Sequence, residues 1–227
     1  MEWNVGYWQI SIQRVYPTSA QLSQMYNTAA PAWNRLVHYL GINRAYVELF
    51  RSLQKDHLLD NVKDDSTVCD CGIGTAAFSL ALVKAINPRI NIVGADISQE
   101  MLNQAQQSLN QANISQQLYQ ADVNDLPFDD NTFDLSISAH MLEHLPHPIQ
   151  GLQEMMRVLR PGAPLILAVT RPGLLGWWIQ WHWGNDCLSE AEVTAMMTKI
   201  ELRQIRSYPL TTGLSRWAST AYVGFKP

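Results

Sequence analysis

No apolar run in these 227 residues is long enough to span a bilayer. The opening Met1-Glu2-Trp3-Asn4 lacks the basic and apolar segments of a signal peptide, so a cytoplasmic protein is expected. Basic charge is scarce: 16 Lys and Arg stand against 20 Asp and Glu, for a net charge of −4. That balance argues against nucleic acid as a partner. Cysteine is scarce too. Cys69, Cys71 and Cys187 are the whole complement, and no second Cys/His pair completes a zinc pattern. No metal site is expected, and Cys69 and Cys71 read as buried reduced thiols on one face of a strand. There is no internal repeat and no low-complexity tract.

What is present is enough apolar residue, 47%, to fill a sizeable core in one domain with an elaboration. The chain is organised around Val68 to Leu80, which reads as a strand, a glycine turn and the start of a helix. Gly72 and Gly74 permit a sharp turn and close approach of a ligand. Residues 1–17 show aromatic residues without a clear period and read as an arm. From residue 18 to about 59 the pattern is helical and interrupted. One short helix is expected over 19–26, and a second starts at Pro31, with Trp33, Leu36, Val37 and Leu40 on one face and Gly41 as its stop. A third is expected over 43–57. Such a stretch needs a body to lie on, and a helical cap is expected.

From Thr67 onward strands and helices alternate, at 67–71, 75–86, 90–95, 99–111, 117–121, 132–138, 148–159 and 164–170. Ser98 is placed as an N-cap, and Ser189 with Glu192 as a capping box for a helix to about 199. Two strands in succession, 201–208 and 218–225, close the chain as a hairpin. The alternation implies a doubly wound α/β fold with a mostly parallel sheet, and ligands bind beyond the carboxyl ends of its strands. Asp70, Asp96 and Asp122 lie in or just after the first three strands, so they converge on one crevice. A dinucleotide site would want Gly-x-Gly-x-x-Gly, and here no third glycine follows. Asp70, two residues before Gly72, would repel a pyrophosphate. Three carboxylates suit a ligand with a ribose diol, an amine-bearing base and a positive centre.

These segments together resemble a known family: Val68-x-Asp70-x-Gly72-x-Gly74-Thr75-Ala76, Asp96-Ile97-Ser98-x-x-Met101-Leu102, Ala121-Asp122-x-x-Asp125-Leu126-Pro127-Phe128, Phe133-Asp134-Leu135 and Arg157-Val158-Leu159-Arg160-Pro161-Gly162. They look like a class I S-adenosylmethionine-dependent methyltransferase of the ubiquinone/menaquinone C-methylase branch. Residues 26–33 resemble that branch's cap helix. The resemblance implies a seven-stranded sheet of order 3-2-1-4-5-7-6 with an antiparallel last strand. It divides the chain into an arm and cap, 1–63, and a Rossmann-like domain, 64–227, with a Trp-rich insertion at 173–186. It also implies S-adenosylmethionine as cofactor and a small-molecule methyl acceptor as partner, in a monomer or homodimer. By resemblance Gly72 and Gly74 admit the methionine part, and Asp70 places its ammonium. Asp96 holds the ribose hydroxyls, and Ile97 and Val123 sandwich the adenine or belong to the ordinary core. Met101 lies beside them, Asp122 accepts from the adenine amine, and Ser138 borders the methyl group. The departure is Ala76, where the family has a glycine, and its methyl group is expected to narrow the turn slightly.

Methyl transfer from a sulfonium is an in-line displacement, and a base is needed only when the acceptor keeps its proton. His140, just past the fourth strand, is the catalytic candidate; the alternative is a histidine that bonds the cap or the cofactor. His144, Glu143, His38 and Tyr26 are the other candidate bases. The substrate pocket is expected among Tyr26, Trp33, His38, Tyr39, His140, Arg171, Trp177, Trp178 and Trp181. The tryptophan segment has three readings: it lines a pocket for an aromatic or lipophilic acceptor, lies in a membrane interface, or packs the cap onto the body. A catalytically silent S-adenosylmethionine-binding regulator or partner subunit stands as the alternative function.

Overall fold

The computed structural model describes residues 2–5, 8–11, 18, 21–25, 27, 42–86 and 89–227. The helix expected from Pro31 to Leu40 lies outside the described residues, as do Tyr26, Trp33, His38 and Tyr39. β1 (Glu2–Val5) and β2 (Trp8–Ser11) form an antiparallel ribbon, with Val5 opposite Trp8 and Glu2 opposite Ser11.

The body runs α1 (Ile42–Lys55), β3 (Thr67–Cys71), α2 (Ala77–Ile86), β4 (Asn91–Asp96), α3 (Gln99–Gln111), β5 (Ser115–Gln120) and β6 (Leu135–Ala139). It continues with α4 (Pro148–Val158), β7 (Pro164–Thr170), α5 (Leu174–Trp183), α6 (Glu190–Lys199), β8 (Arg203–Pro209), α7 (Ser215–Ala218) and β9 (Ser219–Phe225). Seven strands make one sheet in the order β5-β4-β3-β6-β7-β9-β8, and β9 is antiparallel to both its neighbours. Counted within the sheet, that is 3-2-1-4-5-7-6, as the resemblance implies. β6 starts three residues later than expected, because Phe133 makes only an isolated bridge to Leu159. Among the described residues no helix is long and apolar enough to cross a membrane.

Local chemistry explains these elements. β7 is Pro-Leu-Ile-Leu-Ala-Val-Thr, buried throughout as a strand covered on both faces must be. The Ser98 hydroxyl accepts from Met101 N–H and starts α3. Ser189 and Glu192 close the capping box of α6. Strand period two splits β3: Val68 faces the layer built by α1 and α2, and Cys69 and Cys71 face the other core. α1 is part of the first layer, since its Tyr46 and Phe50 rings each sit 4.7 Å from Phe78 of α2.

Ala76 corrects one expectation. It does not merely narrow the turn; it sits at φ +66°, in the left-handed region, and is buried. A glycine there would relieve about 1–2 kcal/mol of steric cost. It would also lose about 0.8 kcal/mol of methyl burial and about 0.4–1 kcal/mol through the freer unfolded chain. These effects offset one another. Ala76→Gly is therefore expected to change stability by less than about 1 kcal/mol in urea denaturation, which explains why alanine is tolerated here.

Candidate active site

The carboxyl ends of β3, β4, β5 and β6 deliver one side chain or turn each to the same edge of the sheet. After β3 the chain turns at Gly72, whose φ is +71° and where an added Cβ would stand 2.5 Å from Met141 Cγ. At Gly74, φ +53°, an added Cβ meets nothing within 4 Å, so its backbone opens onto free space. Asp96, at the end of β4, ties this turn down. Its Oδ2 accepts from Gly74 N–H and its Oδ1 from Ser98 N–H, each at 2.9 Å. Burial raises the Asp96 carboxyl, with the N–H groups of Ser98, Gly74 and Ile97 opposing the shift. Asp122 follows β5 and accepts from the backbone and side-chain N–H groups of Asn124, at 2.9 and 2.8 Å.

Asp70 is the most unusual of the three acids. It is 1% exposed, and Ser79 donates its hydroxyl to Oδ2 at 2.6 Å. Burial pushes its carboxyl up to about 7, Asp96 adds to the rise, and the Ser79 bonds work against it. Such a group wants a cation. Neither the cleft nor the cavity beside it has a Lys or Arg among its described lining residues.

The lining falls into two adjoining compartments. The first, ≈ 270 Å³, carries Asp96, Ile97, Met101, Asp122 and Val123. The second, ≈ 510 Å³, carries Asp70, Tyr46, Phe78, Trp178, Ile179 and Leu214. Gly72, Gly74, Ala139, His140 and His144 border both, so the compartments meet at His140. Ser138 borders neither; buried under the turn, its hydroxyl donates to Cys71 O at 2.7 Å and joins β6 to β3.

His140 is held tightly. Its φ is +56°, uncommon for a residue with a side chain, and its N–H donates to Ala168 O at 2.8 Å. Its Nδ1 lies 2.9 Å from Glu143 Oε1 and 3.1 Å from Thr170 Oγ1. Glu143 is fully buried, and the same Oε1 accepts from the N–H and the hydroxyl of Thr170, both at 2.9 Å. Burial drives the Glu143 carboxyl up, but the His140 hydrogen bond and the charges of His140 and His144 outweigh it and hold it below the ordinary range. An ionised carboxylate only accepts, so Nδ1 carries a proton toward Glu143 in either charge state, and Nε2 is an acceptor when the ring is neutral. Ser219 Oγ lies 3.4 Å from Nε2. Glu143 Oε2 and Asn185 Oδ1 are buried without a hydrogen-bond partner, and both residues line the larger cavity.

Residues 69–167 match the model of a methyltransferase domain. Over that stretch, which is less than half of the chain, the sequence is similar to a methyltransferase domain. The chain is 40% identical over 110 residues to demethylmenaquinone methyltransferase of Staphylococcus carnosus, a stretch covering 48% of this chain and 45% of that one. The match thus spans about half the length of that relative. Among solved structures, magnesium protoporphyrin IX methyltransferase from Synechocystis, with S-adenosylhomocysteine bound, superposes with TM-score 0.72 at 18% identity, covering 92% of this chain and 99% of that one. The [4+2]-cyclase SpnF superposes with TM-score 0.73 at 16% identity, covering 93% and 98%. These two likenesses show the fold alone.

The residues that line the two compartments fit S-adenosylmethionine. A buried carboxylate without a cation suits an ammonium at Asp70, the open backbone at Gly74 admits a ligand chain, and Asp96 presents both oxygens at the cleft wall. A pyrophosphate would meet carboxylates and no basic side chain.

Of the pocket candidates, His140 and Trp178 line the larger cavity. Arg171, Trp177 and Trp181 are not among its described lining residues; Arg171 instead donates to Arg216 O and Trp217 O. The fold adds residues that motif reading did not single out as lining. Tyr46 reaches the cavity from α1, and Thr18 and Leu22 flank the smaller cleft. That N-terminal segment is fastened there. Ser23 donates to Ile97 O at 3.1 Å, and Asn27 Oδ1 accepts from the Ser98 hydroxyl at 2.6 Å. The signal for Tyr46 was the apolar face of α1, whose depth in the fold sequence alone does not give.

Proposed function

We propose that this chain transfers a methyl group from S-adenosylmethionine to a neutral, lipophilic small molecule. The observation that carries the reading is the junction of an acid-lined cleft with an apolar cavity at Gly72 and His140. When bound, S-adenosylmethionine supplies an electrophilic methyl group on a sulfonium. Asp70 holds the ammonium, Asp96 accepts from the ribose diol, and Asp122 accepts from the adenine amine, each as a charge-assisted bond. Ile97 and Val123 flank the base, with Met101 behind them, and Ser138 supports the turn. Gly72 and Gly74 let the backbone approach the cofactor, and the apolar walls exclude water.

His140 is the base for an acceptor that keeps its proton, and Nε2 takes that proton. Glu143 is a positioning residue: it fixes the tautomer and stabilises the imidazolium that forms. With two acids and no described Lys or Arg on its wall, the cavity disfavours a carboxylate or phosphate. The relative's name, demethylmenaquinone methyltransferase, agrees with a lipophilic ring substrate. The test is S-adenosylhomocysteine formation over paired acceptors, a lipophilic hydroxy-aromatic and its carboxylated analogue. Turnover is expected on the neutral member and at least about tenfold less on the anion; the reverse order, or no turnover on any neutral acceptor, contradicts the reading.

A further inference from the structure

The outer face of α5 is the most exposed apolar surface among the described residues. Leu174 is 87% exposed, Trp181 84%, and Trp177 and Trp178 56% each; beside them Trp217 is 58% and Leu214 48% exposed. Singly such residues are ordinary, but a contiguous set this large marks a contact surface. α5 packs on α7, which presents Leu214 and Trp217 at its start and middle. Gly176 sets that helix tight against the body, since an added Cβ would stand 2.1 Å from Arg171 O.

We infer that this face docks on a lipid bilayer. Three observations choose lipid over another protein. Tryptophan is the dominant side chain, and its amphipathic ring belongs at the headgroup level. No acidic residue occurs in 172–185 or 210–217, whereas Arg171 and Arg216 flank the face, the latter with its guanidinium 4.5 Å from the Trp217 ring centre. Those arginines complement lipid phosphates. The face is also continuous with the cavity: Leu175, Trp178 and Ile179 of α5 and Leu214 line it. A lipophilic acceptor leaving the bilayer meets that wall without crossing water. The purpose of the docking rests on the methyl-transfer reading; the docking itself does not.

The test is sedimentation of the full chain with vesicles of phosphatidylcholine, alone and with phosphatidylglycerol, without cofactor. The wild type is expected to co-sediment, more strongly with the anionic lipid. The double variant Trp177→Ser/Trp181→Ser is expected to partition at least about tenfold more weakly, and Leu174→Ser to weaken binding by a smaller factor. S-adenosylhomocysteine binding by each variant, unchanged from wild type, certifies the fold. A wild type that stays in the supernatant overturns the inference. So does a double variant that binds vesicles as the wild type does. So does self-association in lipid-free solution that the double variant abolishes when vesicle binding is absent, because the face then belongs to a second copy. Failure of methyl transfer with intact vesicle binding would instead fall on the functional proposal.

Discussion

Replacing His140 by asparagine is expected to lower turnover about 10²–10⁴-fold, the range for a lost general base. Asparagine is the right substitute because His140 sits at φ +56°, where asparagine is tolerated better than alanine. S-adenosylhomocysteine affinity should stay within about threefold, a difference well under 1 kcal/mol. Glu143→Gln separates positioning from folding. The neutral amide no longer fixes the proton on Nδ1 or stabilises the imidazolium. Turnover should fall and the kcat profile against pH should move, with binding of S-adenosylhomocysteine retained. Near-normal turnover by His140→Asn would remove the base from the mechanism.

Asp70→Asn is expected to strengthen the folded chain and weaken its cofactor site at once. The folded carboxyl is pushed up to about 7, against about 3.9 in the unfolded chain. The folded state therefore binds the proton more tightly, so its stability falls as pH rises from about 4 to 7 and stays low above. The full shift is worth roughly 4 kcal/mol. At pH 8 the amide removes an ionised group without a cation, while Ser79 must find a new geometry with it. A gain of about 1–3 kcal/mol is expected in urea denaturation at pH 8, with little gain at pH 5, where Asp70 is already protonated. Binding of S-adenosylhomocysteine at pH 8 should weaken about 10–100-fold, the size of a charge-assisted hydrogen bond. In the wild type that binding should also weaken as pH falls below about 7, because Asp70 must first lose its proton.

Much of the frame was legible because local rules agreed. β3, α3 and β7 have the expected bounds, since each has its signal: a short β-branched run, a serine cap, a buried apolar strand. The order of the sheet came from family resemblance, which spacing alone does not supply. The N-terminal ribbon was hidden although Glu2-Trp3-Asn4-Val5 and Trp8-Gln9-Ile10-Ser11 each alternate with period two. Four residues are too few to outweigh the neighbouring aromatics. In the site, the three acids were visible because a carboxylate at a strand end is costly without a use. Glu143 was one of several candidate bases, with nothing local to set it apart. Its value comes from a contact with Thr170, 27 residues away, which no local pattern carries. Ala76 shows the converse: sequence flagged the position, and only the backbone angle gave the reason.

Calorimetric titration of the ligand-free chain with S-adenosylhomocysteine and, separately, with NAD tests the central claim most directly. The account predicts one site per chain for S-adenosylhomocysteine, lost in Asp96→Ala, and no binding of NAD, whose pyrophosphate has no basic partner among the described cleft residues. Tight NAD binding together with none of S-adenosylhomocysteine would contradict it.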